Sequence, residues 1–219
     1  MAELRLAVRY GAAAVGLVSR MPSGPGVVED AIIKQVAAAA PPGIATFLLT
    51  SSQDTAEIVA QQRALGPNTL QLVDRLDRGT HADLRAALPG IKLVQVIHVA
   101  GEASLREAVA VAPYVDALLL DSGNQSLAVK QLGGTGRIHD WTTSRRIRDS
   151  VDVPTFLAGG LRPENVRQAI DHVAPYGLDV CTGVRTNGHL DESKLAAFVT
   201  AALSPNFPTP LVLPATHGV

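Results

Sequence analysis

Two glycine turns in the C-terminal half of the chain are the residues with the clearest potential for chemistry. Gly159-Gly160 follows one short apolar run, and Thr182-Gly183 follows another. Glycine lets a ligand approach the backbone closely, and turns on neighbouring parallel strands direct their N–H groups at the same space. The pair predicts a cup that binds a phosphate group. The alternative is that these glycines only make tight turns.

Asp121 ends the apolar segment LLLD at residues 118–121. A carboxyl group at the C-terminal end of a buried parallel strand is a typical catalytic acid. The position predicts a general acid, and the alternative is a turn aspartate that accepts a hydrogen bond from the Gly123 N–H. The loop that follows contains three more glycines that predict further donors to the same phosphate, namely Gly133, Gly134 and Gly136.

Other polar side chains are weaker candidates for the same site. Asp74 and His98 end predicted strands and could face the cup, or they could be ordinary satisfied polar residues. Arg185 lies just beyond the second glycine turn, as a cation for a substrate anion or as a solvated surface residue. Cys181 is best explained as a small buried side chain.

The elements that must position these residues alternate between strand and helix. The predicted strands are residues 13–19, 44–50, 69–74, 92–99, 115–121, 154–158 and 178–181. The predicted helices are residues 2–10, 29–40, 54–65, 81–88, 104–112 and 141–151, one that begins near Pro163, and 193–203. This alternation requires a parallel sheet with helices outside it.

A (β/α)8 TIM barrel explains this order of strands and helices better than a doubly wound sheet does, because no G-x-G-x-x-G motif follows the first strand. We expect one barrel domain over residues 1–203 that lacks the strand before its first helix, and an extended proline-rich tail over residues 204–219. Open sheet edges attract extended segments. We therefore expect either that the natural protein starts before Met1, or that the tail segment TPLVLP covers the edges or pairs with a second chain.

Composition excludes several classes of protein. The chain has 219 residues, is 47% hydrophobic and carries a formal net charge of -1. It therefore lacks the excess of positive charge that is typical of nucleic-acid-binding proteins. A single cysteine excludes an intramolecular disulfide and gives no thiolate cluster for a metal. No apolar run reaches membrane length. We expect a cytoplasmic protein without a membrane or nucleic-acid partner.

Four motifs, in this order and spacing, resemble the phosphoribosylanthranilate isomerase family of the tryptophan pathway. They are LLLDS at 118–122, LGGTGRIHDW at 132–141, FLAGGLRPENVRQAI at 156–170 and LDVCTGV at 178–184. The resemblance implies a ribulose-phosphate-binding type barrel that converts an N-ribosyl amine phosphate to an aminoketone by an Amadori rearrangement. It implies no metal or organic cofactor, a phosphosugar as the small-molecule partner, and Asp121 as the general acid.

Three positions depart from the family pattern. The family's general base is a cysteine at the end of the first barrel strand, and no residue of this sequence maps to it. The family's arginine after the second strand corresponds to the region of Pro25, and its histidine in a QLHG-like motif is replaced by Val73 in QLVD. The resemblance therefore leaves the base unassigned, and recognition of the anthranilate carboxylate is altered.

Three functions remain open from the sequence. The first is isomerisation of phosphoribosylanthranilate or of another phosphosugar, and the second is noncatalytic phosphosugar binding. For the oligomeric state, a homodimer is an open alternative to a monomer. The third is aldolase or epimerase chemistry, which ranks last because Lys92 starts its strand. Without an identified base, we expect very low isomerase turnover with retained phosphosugar binding.

Overall fold

The computed structural model describes residues 1–21, 26–122 and 140–204. The strands are β1 (Ala14–Val18), β2 (Ala45–Thr50), β3 (Thr69–Leu72), β4 (Lys92–His98), β5 (Ala117–Asp121), β6 (Thr155–Leu157), β7 (Gly177–Leu178), β8 (Arg185–Thr186) and β9 (His189–Leu190). The helices are α1 (Ala2–Arg9), α2 (Asp30–Ala39), α3 (Thr55–Leu65), α4 (His81–Ala87), α5 (Glu102–Val111), α6 (Trp141–Asp149), α7 (Val166–Val173) and α8 (Glu192–Leu203). Short 3-10 helices cover Ala112–Tyr114 and Thr182–Val184.

The first seven strands form one parallel sheet in the order of the chain, from β1 to β7. A helix lies between each strand and the next, so every connection is the parallel crossover expected of a TIM barrel. The predicted fold class is confirmed. Within the described ranges, β1 and β7 are the two edges of this sheet, and no strand pairs with both. Of the predicted tail at residues 204–219, the structure describes Ser204, and residues 205–219 lie outside the described residues.

Local sequence explains where the helices begin and end. Asp54 caps α3 by accepting a hydrogen bond from the Ala56 N–H at 2.8 Å, and Gly66 ends that helix with a left-handed φ of 86°. Thr80 and Asp83 form a capping box at the start of α4. None of the helices in the described part of the chain is long and apolar enough to cross a membrane.

Each strand separates two apolar layers, because its side chains alternate between the faces of the sheet. One face packs against the helices and contains the fully buried Ile97, Leu120 and Leu157. The other face lines the barrel interior with a smaller apolar cluster, which includes Val96 and Leu119 with Phe156 packed against it. This alternation decides which residue at the end of each strand points into the barrel.

Helix α1 is joined to the C-terminal elements, so the layer of helices continues past the edges of the sheet. The Glu3 carboxylate accepts hydrogen bonds from the Arg185 guanidinium at 2.8 and 3.2 Å and from the Leu190 N–H at 3.0 Å. The Tyr10 hydroxyl donates to Glu192 of α8 at 3.1 Å. These contacts hold α1 against the β8–β9 hairpin and α8.

Three sequence predictions in the C-terminal region need correction. The strand expected at residues 178–181 is Gly177–Leu178, and the chain turns into the 3-10 helix after Cys181. The helix expected from Pro163 begins at Val166, because the Asn165 side chain folds residues 162–165 into a separate turn. The β8–β9 hairpin was not predicted, although its Asn187-Gly188 turn is a strong hairpin signal.

Candidate active site

One row of residues crosses four strands where they end at the mouth of the barrel. The register pairs His98 of β4 with Asp121 of β5. The pairing of Leu120 with Leu157 places Ala158 opposite Asp121, and the pairing of Leu157 with Leu178 places Asp179 opposite Ala158. We call His98, Asp121, Ala158 and Asp179 the mouth row.

The mouth row faces the barrel interior. His98, Asp121 and Ala158 each lie two positions after a residue of the interior cluster, which is Val96, Leu119 and Phe156, respectively. Asp179 follows by two positions Gly177, which pairs with Phe156 and lies against its ring. Since side chains alternate along a strand, the four side chains project into the same space. The small Ala158 leaves room between the two carboxyl groups.

Asp121 lies where the sequence predicts it, at the C-terminal end of β5, and is only 8% exposed. One carboxylate oxygen accepts a hydrogen bond from the Ser122 N–H at 2.7 Å, with the Ser122 hydroxyl at 3.4 Å. This contact orients the carboxyl group at the mouth of the barrel. The alternative donor, Gly123, is outside the described residues.

Asp179 was not singled out from the sequence, and the structure adds it to the site. The residue is exposed to solvent, and desolvation by the protein around its carboxyl group disfavours the charged form. This desolvation and the neighbouring Asp121 carboxylate raise the pKa of Asp179 to about 6. The sequence signal that could have identified it is its spacing, two positions after Gly177 of β7.

His98 is buried, and its Nε2 lies 2.9 Å from the Val73 carbonyl oxygen. Since a carbonyl oxygen only accepts, Nε2 is the donor in this contact. Among the described residues the buried Nδ1 has no partner. The Asp74 carboxylate instead accepts from the Arg75 N–H at 2.9 Å, in the turn after β3. The structure thus brings His98, but not Asp74, into the mouth row.

The two glycine turns lie against each other. A Cβ on Gly183 would lie 1.9 Å from the Leu161 carbonyl oxygen, so the two turns approach more closely than any other residue type allows. Gly159 and Gly160 have φ angles of 83° and 66°. Thr182 begins the 3-10 helix that contains Gly183.

The first glycine turn is held by a residue that the sequence did not single out. Asn165 donates from Nδ2 to the Gly160 carbonyl oxygen and accepts at Oδ1 from the Arg162 N–H, both at 2.9 Å. No protein acceptor for the N–H of Gly160 or Gly183 is found in the described ranges. The turn thus uses the Gly160 carbonyl oxygen internally. Gly133, Gly134 and Gly136 lie outside the described residues.

Arg185 and Cys181 have surroundings that differ from those of the mouth row. Arg185 is engaged by Glu3 and by the Gly188 carbonyl oxygen, so it secures the hairpin rather than facing the mouth row. Burial raises the pKa of the Cys181 thiol, which keeps it protonated near neutral pH.

One family of known proteins matches most of this chain. A family model described as N-(5'phosphoribosyl)anthranilate (PRA) isomerase matches residues 4–201. The sequence is 35% identical over 199 residues to N-(5'-phosphoribosyl)anthranilate isomerase 2 of Methanosarcina mazei, covering 90% of this chain and 87% of that protein. It is 38% identical over 194 residues to the Haloferax volcanii N-(5'-phosphoribosyl)anthranilate isomerase, covering 88% and 84%.

Solved structures agree with the sequence comparison. The phosphoribosyl anthranilate isomerase of Thermococcus kodakaraensis superposes with a TM-score of 0.75 at 25% identity, over 94% of this chain and 95% of that one. The Thermotoga maritima enzyme of the same name also gives a TM-score of 0.75 at 25% identity, over 92% and 93%.

Proposed function

Because this chain belongs to the N-(5'-phosphoribosyl)anthranilate isomerase family, we propose that it isomerises N-(5'-phosphoribosyl)anthranilate to the corresponding aminoketone phosphate. The observation that carries the proposal is the mouth row, which places Asp121 and Asp179 on one interior face beside two glycine turns. That combination supplies a proton-transfer group and anion donors at the same end of the barrel. TIM-barrel active sites are found at this end.

The phosphate group of the substrate is assigned to the two glycine turns. The N–H groups of Gly160 and Gly183 are the donors, and Asn165 keeps the first turn in shape. Backbone N–H groups bind phosphate without a charged side chain, since their dipoles converge on the anion. This matches a site in which Arg185 is already paired with Glu3.

Asp121 is assigned as the general acid of ring opening. Its carboxyl proton passes to the furanose ring oxygen as the bond from that oxygen to the anomeric carbon breaks. The nitrogen lone pair then forms the carbon–nitrogen double bond of an iminium ion. The hydrogen bond from the Ser122 N–H orients the group for this transfer.

The experiment compares turnover by the wild-type chain, Asp121→Asn and a control variant, Asp152→Asn. Asp152 is an exposed carboxylate before β6, away from the mouth row. We expect the wild type to form the aminoketone and Asp121→Asn to lose about 10²- to 10⁴-fold in kcat, the usual contribution of one acid or base group. The control keeps wild-type turnover.

The same assay tests the alternative function, a noncatalytic phosphosugar-binding barrel. The replacement of the family histidine by Val73 favours that alternative, because Val73 is an apolar interior residue that offers only its carbonyl oxygen, to His98. A folded wild-type chain that binds the aminoketone but does not turn over the substrate would exclude isomerisation and support the alternative.

A further inference from the structure

His98 carries a buried polar atom that the protein itself leaves without a partner. The residue is 8% exposed, and its Nε2 donates to the Val73 carbonyl oxygen at 2.9 Å. In a neutral imidazole, donation from Nε2 leaves Nδ1 as a hydrogen-bond acceptor. This Nδ1 is buried and has no hydrogen-bond partner within the described part of the chain. A buried acceptor without a partner lowers the stability of the fold, so its presence at the mouth of the barrel indicates a partner that arrives with a ligand.

The backbone of His98 is held from two directions, so the imidazole has a defined place in the mouth row. The residue pairs in register with Asp121 of β5. Its carbonyl oxygen accepts a hydrogen bond from the Ser104 hydroxyl at 3.0 Å, and that hydroxyl accepts from the Ala100 N–H at 2.8 Å. These contacts hold the imidazole beside the proposed acid.

The order of the sites along the mouth determines which part of the substrate lies near His98. The two glycine turns, proposed for the phosphate on C5, follow β6 and β7, and Asp121, proposed for the ring oxygen, ends β5. His98 ends β4, on the other side of Asp121 from the glycine turns. The ring oxygen joins C4 to C1, so a sugar with C5 toward the glycine turns has C1 and its neighbour C2 on the His98 side. Neighbouring strands lie about 4.8 Å apart, so one furanose ring spans the two positions.

Three polar groups of the substrate lie at this end, and only one of them is a free donor for Nδ1. The carboxylate of the aminobenzoate group only accepts hydrogen bonds. The single amine N–H points toward that carboxylate, which is in the ortho position of the same ring. The C2 hydroxyl therefore remains as the donor that a neutral Nδ1 can accept.

We propose that His98 Nδ1 accepts a hydrogen bond from the C2 hydroxyl of the bound substrate, which makes His98 a specificity-determining residue for a ribosyl rather than a 2-deoxyribosyl group. The inference rests on the proposed function, because Asp121 and the glycine turns place the sugar. The hydrogen bond forms as the imidazole and the atoms that cover Nδ1 adjust to the sugar, since such contacts in enzymes often tighten only in the complex. It also fixes C2, whose proton the isomerisation removes, beside Asp121.

Two variants separate the two nitrogens of His98. His98→Gln keeps an amide that reaches the Val73 carbonyl and has no group at the place of Nδ1. His98→Asn keeps an amide with an acceptor oxygen at the place of Nδ1 and does not reach Val73. The matched control is His189→Gln, at an exposed position of β9.

The test measures Kd by titration for the wild type and these three variants with three probes. The first is reduced 1-(o-carboxyphenylamino)-1-deoxyribulose 5-phosphate, the ligand in a solved structure of a phosphoribosyl anthranilate isomerase. The second is the same compound without the C2 hydroxyl, and the third is inorganic phosphate. We expect the wild type, the control and His98→Asn to bind the first compound about three- to tenfold more tightly than the second, the usual contribution of one hydrogen bond. His98→Gln should bind these two compounds equally, and all four proteins should bind inorganic phosphate with the same Kd.

Equal Kd values for the two compounds in the wild type overturn the inference, whether or not any variant folds. A preference that persists in His98→Gln and is lost in His98→Asn also overturns it, because His98 would then act by holding the Val73 carbonyl. A folded wild type that shows the preference but forms no aminoketone overturns the proposed function and supports the C2 hydroxyl contact. Turnover without the preference supports the proposed function and overturns the contact.

Discussion

The contact between Glu3 and Arg185 holds the first helix to the last part of the barrel, and its removal should lower the stability of the whole domain. Glu3→Gln replaces a carboxylate that accepts two hydrogen bonds from Arg185 and one from the Leu190 N–H. The guanidinium then keeps no charged partner among the described residues. We therefore expect a smaller free energy of unfolding at neutral pH.

The magnitude follows from geometry and exposure. Hydrogen bonds to charged groups contribute about 1.5–3 kcal/mol when they are well buried. The Arg185 and Glu3 side chains are 29% and 43% exposed, so water screens this pair and we expect a loss of about 1 kcal/mol. For a domain of this size that loss lowers Tm by about 2–4 °C.

The pH dependence has a definite sign. Partial burial raises the pKa of Glu3, but the hydrogen bonds from Arg185 and the Leu190 N–H outweigh it and lower the pKa below its usual value. The stabilisation is therefore complete above the unfolded-state pKa of about 4.3 and is lost as pH falls through the lower folded-state pKa. The difference in Tm between wild type and Glu3→Gln should close below about pH 4.

The assay is thermal unfolding of both proteins between pH 3 and 8, with Arg9→Gln as the control. Arg9 lies on the same helix as Glu3 and pairs with Glu192 of α8 at 3.8 Å, but both side chains of that pair are more than half exposed, so its loss should hardly change Tm. A Glu3→Gln protein with wild-type Tm at pH 7, or a difference that persists unchanged at pH 3, would refute the reasoning.

Two further variants test the glycine turns. Asn165→Ala removes the hydrogen bonds to the Gly160 carbonyl and from the Arg162 N–H, and should weaken phosphosugar binding about tenfold in a titration. The control Gln168→Ala, a change of an exposed residue on α7, should leave binding unchanged. Equal affinities of the two variants would show that Asn165 does not belong to the site. Gly183→Ala places a Cβ against the Leu161 carbonyl and should lower both Tm and the affinity for inorganic phosphate. The control Gly16→Ala, at an exposed position of β1, should keep the wild-type Tm and affinity. A Gly183→Ala protein with wild-type Tm and affinity would contradict the close contact of the turns.

Most of the fold follows from local signals in the sequence. Strands such as β4 and β5 are short apolar runs buried on both faces, which is typical of a parallel sheet between helices and an interior. Caps such as Asp54 and Thr80 mark the starts of helices. The boundaries near β7 are predicted less accurately, because β7 has two residues and, within the described part of the chain, pairs with only one neighbour.

The site was only partly predictable, since its composition depends on register between distant segments. A slip of one residue in a strand exchanges the interior and exterior faces, so Asp179 joins the mouth row only because Leu178 pairs with Leu157. Judged from its neighbours in sequence, Arg185 is a candidate for binding an anion, yet its partner Glu3 lies 182 residues away.

The same dependence on register explains why Asp121 could be singled out from the sequence and Asp179 could not. Asp121 ends a five-residue strand whose residues are all buried, so both its strand and its face were evident from the chain alone. Asp179 follows a strand of two half-buried residues, and its place in the mouth row depends on the small Ala158 and on Asp121 across the barrel. Asp179 thus becomes visible as a neighbour of Asp121 only when the three strands are placed side by side.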